Sequence, residues 1–168
     1  MVESNRFSLD KSNSALTYYS FDAFCQEYSK NDDLAKICKS LTQGANENVF
    51  ASGTDHTKKS KLITSIKNQV PNDCMVTDVD TMLADLIDSL KNSELKKFYE
   101  NHEKKQLLVI DGFQFCSGKS STQEALYTLI KSRLNQSKST IIFSTRNDFF
   151  LIDPCLKGII STFSNFEF

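Results

Sequence analysis

Residues 107–124 read LLVIDGFQFCSGKSSTQE, and the first part of this stretch decides the fold class. An apolar run over 106–110 leads directly into Asp111. A run without polar alternation is typical of a strand buried on both faces, as the central strands of parallel sheets are. We therefore expect a central parallel strand here, with a carboxylate at its end.

Apolar runs and helical patterns alternate on either side of this strand. Leu83, Leu86, Ile87 and Leu90 recur at helical spacing, which indicates a helix with one buried stripe. The chain then breaks at 92–93, where Ser93 is placed to cap a second helix. Further strands are predicted at 49–52, 74–79, 140–144 and 163–168, and further helices at 60–69 and 121–134. The alternation predicts an α/β fold in three layers, with helices on both faces of a parallel sheet.

The composition is that of a globular domain. The chain has 168 residues, of which 39% are hydrophobic and 24% charged. Lys and Arg total 20 against 21 acidic residues, so DNA binding would require a local basic patch. The Ser- and Asn-rich start predicts a flexible arm over 1–17, followed by one domain over 18–168.

The five cysteines are scattered and form no C-x-x-C pair, which argues against zinc and favours a reducing compartment. Most of them are expected to act as small buried hydrophobic residues. The N-terminal segment lacks the apolar core of a signal peptide, and no apolar run is long enough to span a membrane. We therefore expect a cytoplasmic protein without a membrane partner.

The stretch GTDHTKKS, which begins at Gly53, lies between a predicted strand and a predicted helix, where a phosphate-binding loop belongs. Gly53, Lys59 and Ser60 fit the pattern G-x-x-x-x-G-K-S/T, whereas Lys58 replaces its second glycine. A side chain there hinders approach of the backbone to phosphate, and Asp55 adds negative charge. Two interpretations stay open: a vestigial nucleotide site, or a basic helix start without a ligand.

Asp111 stands where a Walker B carboxylate binds Mg²⁺ in P-loop enzymes. The next residue would normally be a second acid that activates water, but here it is Gly112. Without that base, ATP turnover is expected to be negligible, and we expect no enzyme activity and no cofactor. ATP with Mg²⁺ on Asp111 is the alternative that Lys59 and Ser60 keep open.

The segment over 111–124, D-G-F-Q-F-C-S-G-K-S-S-T-Q-E, closely resembles the segment D-D-x-Q-F-x-x-G-K-x-x-T-Q-E of DnaA, the bacterial chromosomal replication initiator. Residues 19–24, YSFDAF, resemble the Y-T-F-D-N-F entry to the same domain. The helix pair expected over 81–102 is similar to the initiator-specific insertion of that family. The resemblance covers 18–168 and implies the core of an AAA+ ATPase domain with a P-loop NTPase fold.

The chain departs from this family at Gly112 and Lys58 and at several further positions. It has no arginine after Arg146, whereas the family's arginine finger would lie near Ile159. The strand end over 144–146 is only loosely similar to the family's T-S-D. The helical lid and the C-terminal helix-turn-helix are expected to be absent, so recognition of origin sequences is not expected.

In this family, the initiator-specific helix and the segment after Walker B line a channel for single-stranded DNA. By position, the resemblance places an apolar contact at Ile87, a lysine at Lys119 and a hydroxyl at Thr122, while the basic residue before Thr122 is Ser121 here. On pattern alone, Ile87 belongs to a core stripe and Lys119 is a solvated lysine, so both interpretations stay open. Gln123 fits helix-start chemistry as well as a functional role.

Together these features predict a catalytically degenerate initiator-type domain that acts in replication initiation or its regulation. The expected partners are single-stranded DNA and the replication initiator or other replication proteins. Head-to-tail association is expected because domains of this family assemble as filaments. A weak ATP-binding switch and a ligand-free protein-interaction module are the alternatives.

Overall fold

Residues 19–146 and 149–168 are described by the computed structural model, and their centre is a five-stranded parallel sheet. The strands are β1 (Val49–Ser52), β2 (Cys74–Asp78), β3 (Leu107–Asp111), β4 (Ser139–Ser144) and β5 (Ser164–Glu167). Their order across the sheet is β2-β3-β4-β1-β5, and each neighbouring pair is parallel. The arm predicted over 1–17 lies outside the described residues.

Helices cover both faces of the sheet. One face packs against α1 (Phe21–Glu27), α2 (Asp33–Thr42) and α3 (His56–Gln69). The other packs against α4 (Val79–Lys91), α5 (Leu95–Glu103), α6 (Ser120–Asn135) and α7 (Pro154–Ile160). A short 3₁₀ helix, Phe113–Cys116, follows β3. The predicted three-layer α/β fold is confirmed.

The strand β3 shows why its sequence has no polar alternation. Leu107 and Val109 belong to the core beneath α1–α3, while Leu108 and Ile110 belong to the core beneath α4–α7. All four side chains are buried because each face of the sheet carries its own layer of helices. The strand therefore ties both cores together and presents Asp111 at its carboxyl end.

The helix α4 differs from the prediction. Its buried stripe consists of Val79, Met82 and Leu86, whereas Ile87 is 42% exposed and Leu90 is 54% exposed. The helix begins four residues earlier than Leu83 because Asp78 caps it by accepting a hydrogen bond from Thr81 N at 2.9 Å. The core interpretation of Ile87 is therefore wrong.

The predicted cap at Ser93 is also wrong. Ser93 has a φ of 57° in the left-handed region, directly after α4, and α5 begins only after Glu94. No side chain caps the start of α5. The two helices of the predicted insertion do form, and Leu95 at the start of α5 is 36% exposed.

A buried arginine of α6, Arg133, joins this helix to the end of α5 and to the starts of two strands. Arg133 of α6 is fully buried and donates to the main-chain oxygens of His102, Lys105, Gln106 and Ser139 and to the Thr140 hydroxyl. Burial lowers the pKa of Arg133 to about 10, so the guanidinium stays charged at neutral pH. The side chain thus fastens the end of α5 and the starts of β3 and β4 to α6.

The cysteines are free, and Cys38, Cys74 and Cys116 are buried, in line with the prediction for most of them. Burial raises the pKa of Cys74 to about 11 and that of Cys116 to about 12, so both thiols remain protonated. Within 19–146 and 149–168, no helix combines the length and apolar character that crossing a bilayer requires.

Replacement of Arg133 by Leu should destabilise the domain by about 3 kcal/mol or more, because it leaves several buried carbonyls without donors. Urea denaturation followed by circular dichroism measures this loss. Lys131→Leu, on the exposed part of the same helix, is the matched control and should stay within about 0.5 kcal/mol of the original protein. Equal stability of the two variants would contradict the role assigned to Arg133.

Candidate nucleotide and DNA site

An open cleft of about 670 Å³ lies at the carboxyl ends of the central strands. In open α/β sheets, ligands bind at this edge, where strands and helix starts converge. Asp78 of β2, Asp111 of β3 and Thr145 after β4 line the cleft, and α3 contributes His56 and Lys59. The cleft is therefore the position at which a P-loop protein holds its nucleotide.

Most of the segment predicted as a phosphate-binding loop is helical. Only Gly53, Thr54 and Asp55 separate β1 from α3, which begins at His56 rather than at the predicted residue 60. Asp55 caps α3: its carboxylate accepts from Lys58 N at 2.8 Å, and its main-chain oxygen accepts from Lys59 N at 3.0 Å. Two N–H groups at the start of α3 are thus bonded within the chain, and the Asp55 carboxylate lies at the helix end where a phosphate would bind.

Gly53 meets a packing requirement that does not involve a nucleotide. A Cβ atom at Gly53 would lie 2.0 Å from the carbonyl oxygen of Phe168, which follows β5. Phe168 N donates to Ser52 O at 3.1 Å, and this bond holds the ends of β1 and β5 at this close approach. The first glycine of the phosphate pattern therefore serves the packing of β1 against β5 in this structure.

Lys58, which replaces the second glycine, is turned away from the cleft toward α2. Its Nζ lies 2.6 Å from Asp32 Oδ2, and both side chains are largely buried. Asp32 also caps α2 by accepting from Ala35 N at 2.9 Å. A neighbouring ion pair between Lys61 and Glu27 joins α3 to α1. Lys58 and Lys61 therefore join α3 to α2 and α1 through ion pairs.

Lys59 and Asp111 neutralise each other at the centre of the cleft. Lys59 Nζ lies 2.7 Å from Asp111 Oδ1, and Lys59 is only 8% exposed. The same Asp111 oxygen accepts from Gly112 N at 2.7 Å. The sequence correctly placed the two residues at one site, but in the structure they form an ion pair with each other. Ser60 lies beside them on α3 and is exposed.

The cleft does not present a ready Mg²⁺ site. Among the residues that the structure describes, no three His, Cys, Asp or Glu side chains converge as a metal-binding group. Asp78, at the end of β2, is engaged as the cap of α4, and the bond from Thr81 N lowers its pKa. Asp111 would hold Mg²⁺ only after Lys59 had left it, so the residues present do not fit the ion as they stand.

Replacement of Gly112 by an acidic residue would strain the backbone at this position. Its φ is 73°, in the left-handed region that side chains disfavour. A Cβ atom built at Gly112 would also lie 2.9 Å from the ring of Phe115. The position after Asp111 therefore has a backbone conformation that favours glycine over an acidic residue.

The glutamines of the 111–124 segment brace the loops at the strand ends. Gln114 Oε1 accepts from Thr145 N at 3.1 Å, which joins the 3₁₀ helix to the end of β4. Gln123 is buried; it donates to Cys116 O at 2.9 Å and to Leu151 O at 2.8 Å, and accepts from Asp153 N. Sequence reasoning left this scaffold role unseen because the partners lie far along the chain.

The residues predicted to contact DNA are only partly brought together. Asp80 and Ile87 lie seven residues apart on one side of α4, about 10 Å along its axis. Lys119 Nζ lies 3.4 Å from Asp80 Oδ1, so Lys119 and Ile87 share this exposed surface. Thr122 is 3% exposed and its hydroxyl is buried, so the predicted hydroxyl contact is wrong for this structure.

Sequence reasoning missed several residues of the cleft. Asp78 carries the same signal as Asp111, a carboxylate at the end of a strand, and was detectable on that ground. Phe115 is 52% exposed and lines the cleft, and Arg146 lines it beyond β4. Asp32, the partner of Lys58, gave no sequence signal because the two residues meet only through packing of α2 on α3.

The parallel sheet, the helix after β1 that carries Lys59, and the carboxylate at the end of β3 define a P-loop NTPase core of the AAA+ class. A family model for the bacterial DnaA ATPase domain matches residues 16–153. The chain belongs to this family.

Individual relatives agree with this assignment. The chromosomal replication initiator protein DnaA of Aliarcobacter butzleri is 27% identical over 136 residues, which are 76% of this chain and 30% of that protein. A structure titled "Replication initiator DnaA bound to AMPPCP and single-stranded DNA" superposes with a TM-score of 0.78 at 20% identity, over 89% of this chain and 49% of that one. The chain thus spans less than half the length of these initiators.

The same fold occurs in a helicase loader. The structure of the DnaC helicase loader superposes with a TM-score of 0.65 at 14% identity, over 91% of this chain and 98% of that one. At this identity the likeness shows a shared fold. The predicted AAA+ architecture is therefore confirmed both by the family match and by superposition.

Proposed function

We propose that this chain is a DnaA-family domain that acts in replication initiation or its regulation without binding or hydrolysing ATP. The proposal is carried by the internally satisfied phosphate site, in which the Asp55 carboxylate caps α3 and Lys59 is paired with Asp111. A phosphate group entering this site would have to displace one carboxylate and compete with another. We infer that the protein acts by binding other macromolecules at its surface.

Hydrolysis is disfavoured independently of binding. A nucleophilic water needs a base, and the position after Asp111 is a glycine whose backbone conformation opposes a side chain. The arginine finger is expected near Ile159 in α7, and this helix contains Lys157 but no arginine. We propose that a neighbour in a filament would receive no arginine finger from this domain, so the domain could end such a filament.

Replication proteins are the partners that the family membership supports most directly. Matched relatives are chromosomal replication initiators, and a domain of the same fold occurs in a helicase loader. We propose head-to-tail contact with an initiator subunit, because the AAA+ core is the shared part of these proteins. If the domain binds no DNA, it would act as a protein-interaction module without a ligand.

Single-stranded DNA is a second candidate ligand, and a specific observation supports it. Ile87 is exposed on the same side of α4 as the Lys119–Asp80 pair, although the sequence pattern placed it in the core. An exposed apolar side chain near a lysine suits contact with a base and its phosphate. Asp80, Asp85 and Asp88 on α4 oppose a polyanion, so we propose weak, salt-sensitive binding.

The original protein should show no saturable binding of a fluorescent ATP analogue with Mg²⁺ at micromolar concentrations. The double variant Asp55→Gly with Lys58→Gly should gain affinity by about tenfold or more, because it frees the N–H of residue 58 and restores the glycine of the pattern. Fluorescence titration measures both. Glycine is tolerated at a helix cap, and because the variant also loses the Lys58–Asp32 ion pair, circular dichroism verifies its fold before the titration.

Asp153→Gly is the matched control, because it removes a capping aspartate from α7 and leaves α3 unchanged. It should leave nucleotide binding at the level of the original protein. Saturable micromolar binding by the original protein that disappears in Lys59→Ala would instead establish the ATP-switch alternative.

Binding of labelled oligo-dT should be detectable by fluorescence anisotropy at low salt only. Lys119→Ala and Ile87→Ser should each weaken it by about threefold, and Asp80→Asn should strengthen it by a similar factor because it unmasks Lys119. Lys36→Ala, which removes an exposed lysine from α2, is the control and should change the affinity least. If Lys119→Ala has no effect, the DNA surface is excluded and the protein-interaction function remains.

A further inference from the structure

A second cleft, of about 280 Å³, lies between α4, α5 and the edge strand β2, and it takes no part in the site described above. Its lining includes Asp85, Asp88, Glu94, Lys97, Asn101 and His102. Polar side chains from both helices therefore converge on one recess, with Met75 of β2 at its floor.

His102 supplies the observation that points to a ligand. It is 2% exposed and lines this cleft, and its Nδ1 lies 2.9 Å from Phe98 O. Because a carbonyl only accepts hydrogen bonds, Nδ1 carries a proton, and in the neutral ring Nε2 is then an acceptor. Nε2 is buried and has no hydrogen-bond partner among the described residues. A buried polar atom of this kind calls for a donor that the described chain does not supply.

The carboxylates around the cleft indicate that the donor to His102 belongs to a cation. Glu94 is bonded to Lys97 at 3.2 Å, and Asp88 lies 3.8 Å from the exposed Lys91. Asp85 makes no ion pair within the described ranges. The carboxylates outnumber the single lysine of the lining, so the recess favours a cation over a neutral or anionic group.

We propose that this cleft, the α4–α5 cleft, receives the side chain of an arginine from a protein partner. A guanidinium is cationic and carries several N–H donors in one plane, so it can bond a carboxylate and the unpaired Nε2 of His102 together. The volume suits one side chain and is small for a nucleotide. The cleft opens beside the edge strand β2, on the layer that carries the exposed Leu90 and Leu95, which provide apolar surface for the rest of a partner.

This site is independent of the nucleotide proposal, because all the polar groups named here lie on α4, on α5 or on the turn between them. It assigns a role to Asp85 and His102 that neither the phosphate loop nor the DNA surface requires. Arginine is also among the residues enriched where protein surfaces meet, and it is favoured in desolvated charge pairs.

The test uses the ¹⁵N-labelled protein titrated with N-acetyl-arginine amide, while NMR follows the imidazole nitrogens of His102. The expected result is a saturable shift of the His102 Nε2 resonance, with little response to the isosteric, uncharged N-acetyl-citrulline amide. Asp85→Asn should weaken the arginine response by about threefold. Glu100→Gln removes an equal charge from a residue of α5 outside the cleft lining and should leave the response unchanged.

Several results would overturn the proposal. An equal response to the citrulline compound would remove the requirement for charge, and an unchanged affinity in Asp85→Asn would remove the α4–α5 cleft as the site. Agmatine carries the same guanidinium with a free amine in place of the peptide groups. Binding of agmatine more than about tenfold tighter than that of the capped arginine would assign the cleft to a free polyamine and against a protein side chain.

Discussion

The ammonium group of Lys59 lies 2.7 Å from the carboxylate of Asp111, and this contact governs the character of the central cleft. In a P-loop protein the lysine and the carboxylate serve phosphate and Mg²⁺ respectively. Here each satisfies the other, and the buried position of Lys59 strengthens their attraction. A nucleotide would therefore have to separate an ion pair before it gained either contact.

The start of α3 reinforces this constraint. Asp55 fills the end of the helix with a carboxylate, so the local field that normally attracts phosphate is already compensated. Lys58, which distinguishes the loop from a working one, gains a partner in Asp32 on α2. Asp55 and Lys58 thus stabilise the start of α3 and its packing on α2, which gives a physical reason for the fold to be stable without a bound nucleotide.

Much of this architecture could be predicted from the sequence, because the signals were local. The run over 106–110 predicted a central strand correctly, since burial on both faces leaves no position for polar residues. The sequence also placed Lys59 and Asp111 at one site near the carboxyl edge of the sheet, but as contacts of phosphate and Mg²⁺, and their ion pair with each other was not predicted. The family resemblance read from 111–124 was likewise confirmed by the match over 16–153.

The failures arose where side chains choose partners through tertiary packing. The apolar spacing on α4 fitted a buried stripe through Ile87, but the helix turns Val79, Met82 and Leu86 toward the sheet and leaves Ile87 exposed. Thr122 shows the opposite case, since a hydroxyl expected at the surface is buried in α6. Spacing alone fixes which residues share a side of a helix, and the neighbouring elements decide which side is covered.

The Lys58 and Lys59 amides of the phosphate-loop segment are already bonded to Asp55 within the chain. The ¹H–¹⁵N NMR spectrum, with hydrogen exchange, of both amides with and without a millimolar excess of Mg·ATP tests whether nucleotide can replace these bonds. Both amides should be protected and keep their resonance positions when the nucleotide is added. Saturable shifts at these amides would contradict this expectation, because they would mean that phosphate takes over the donors now held by Asp55.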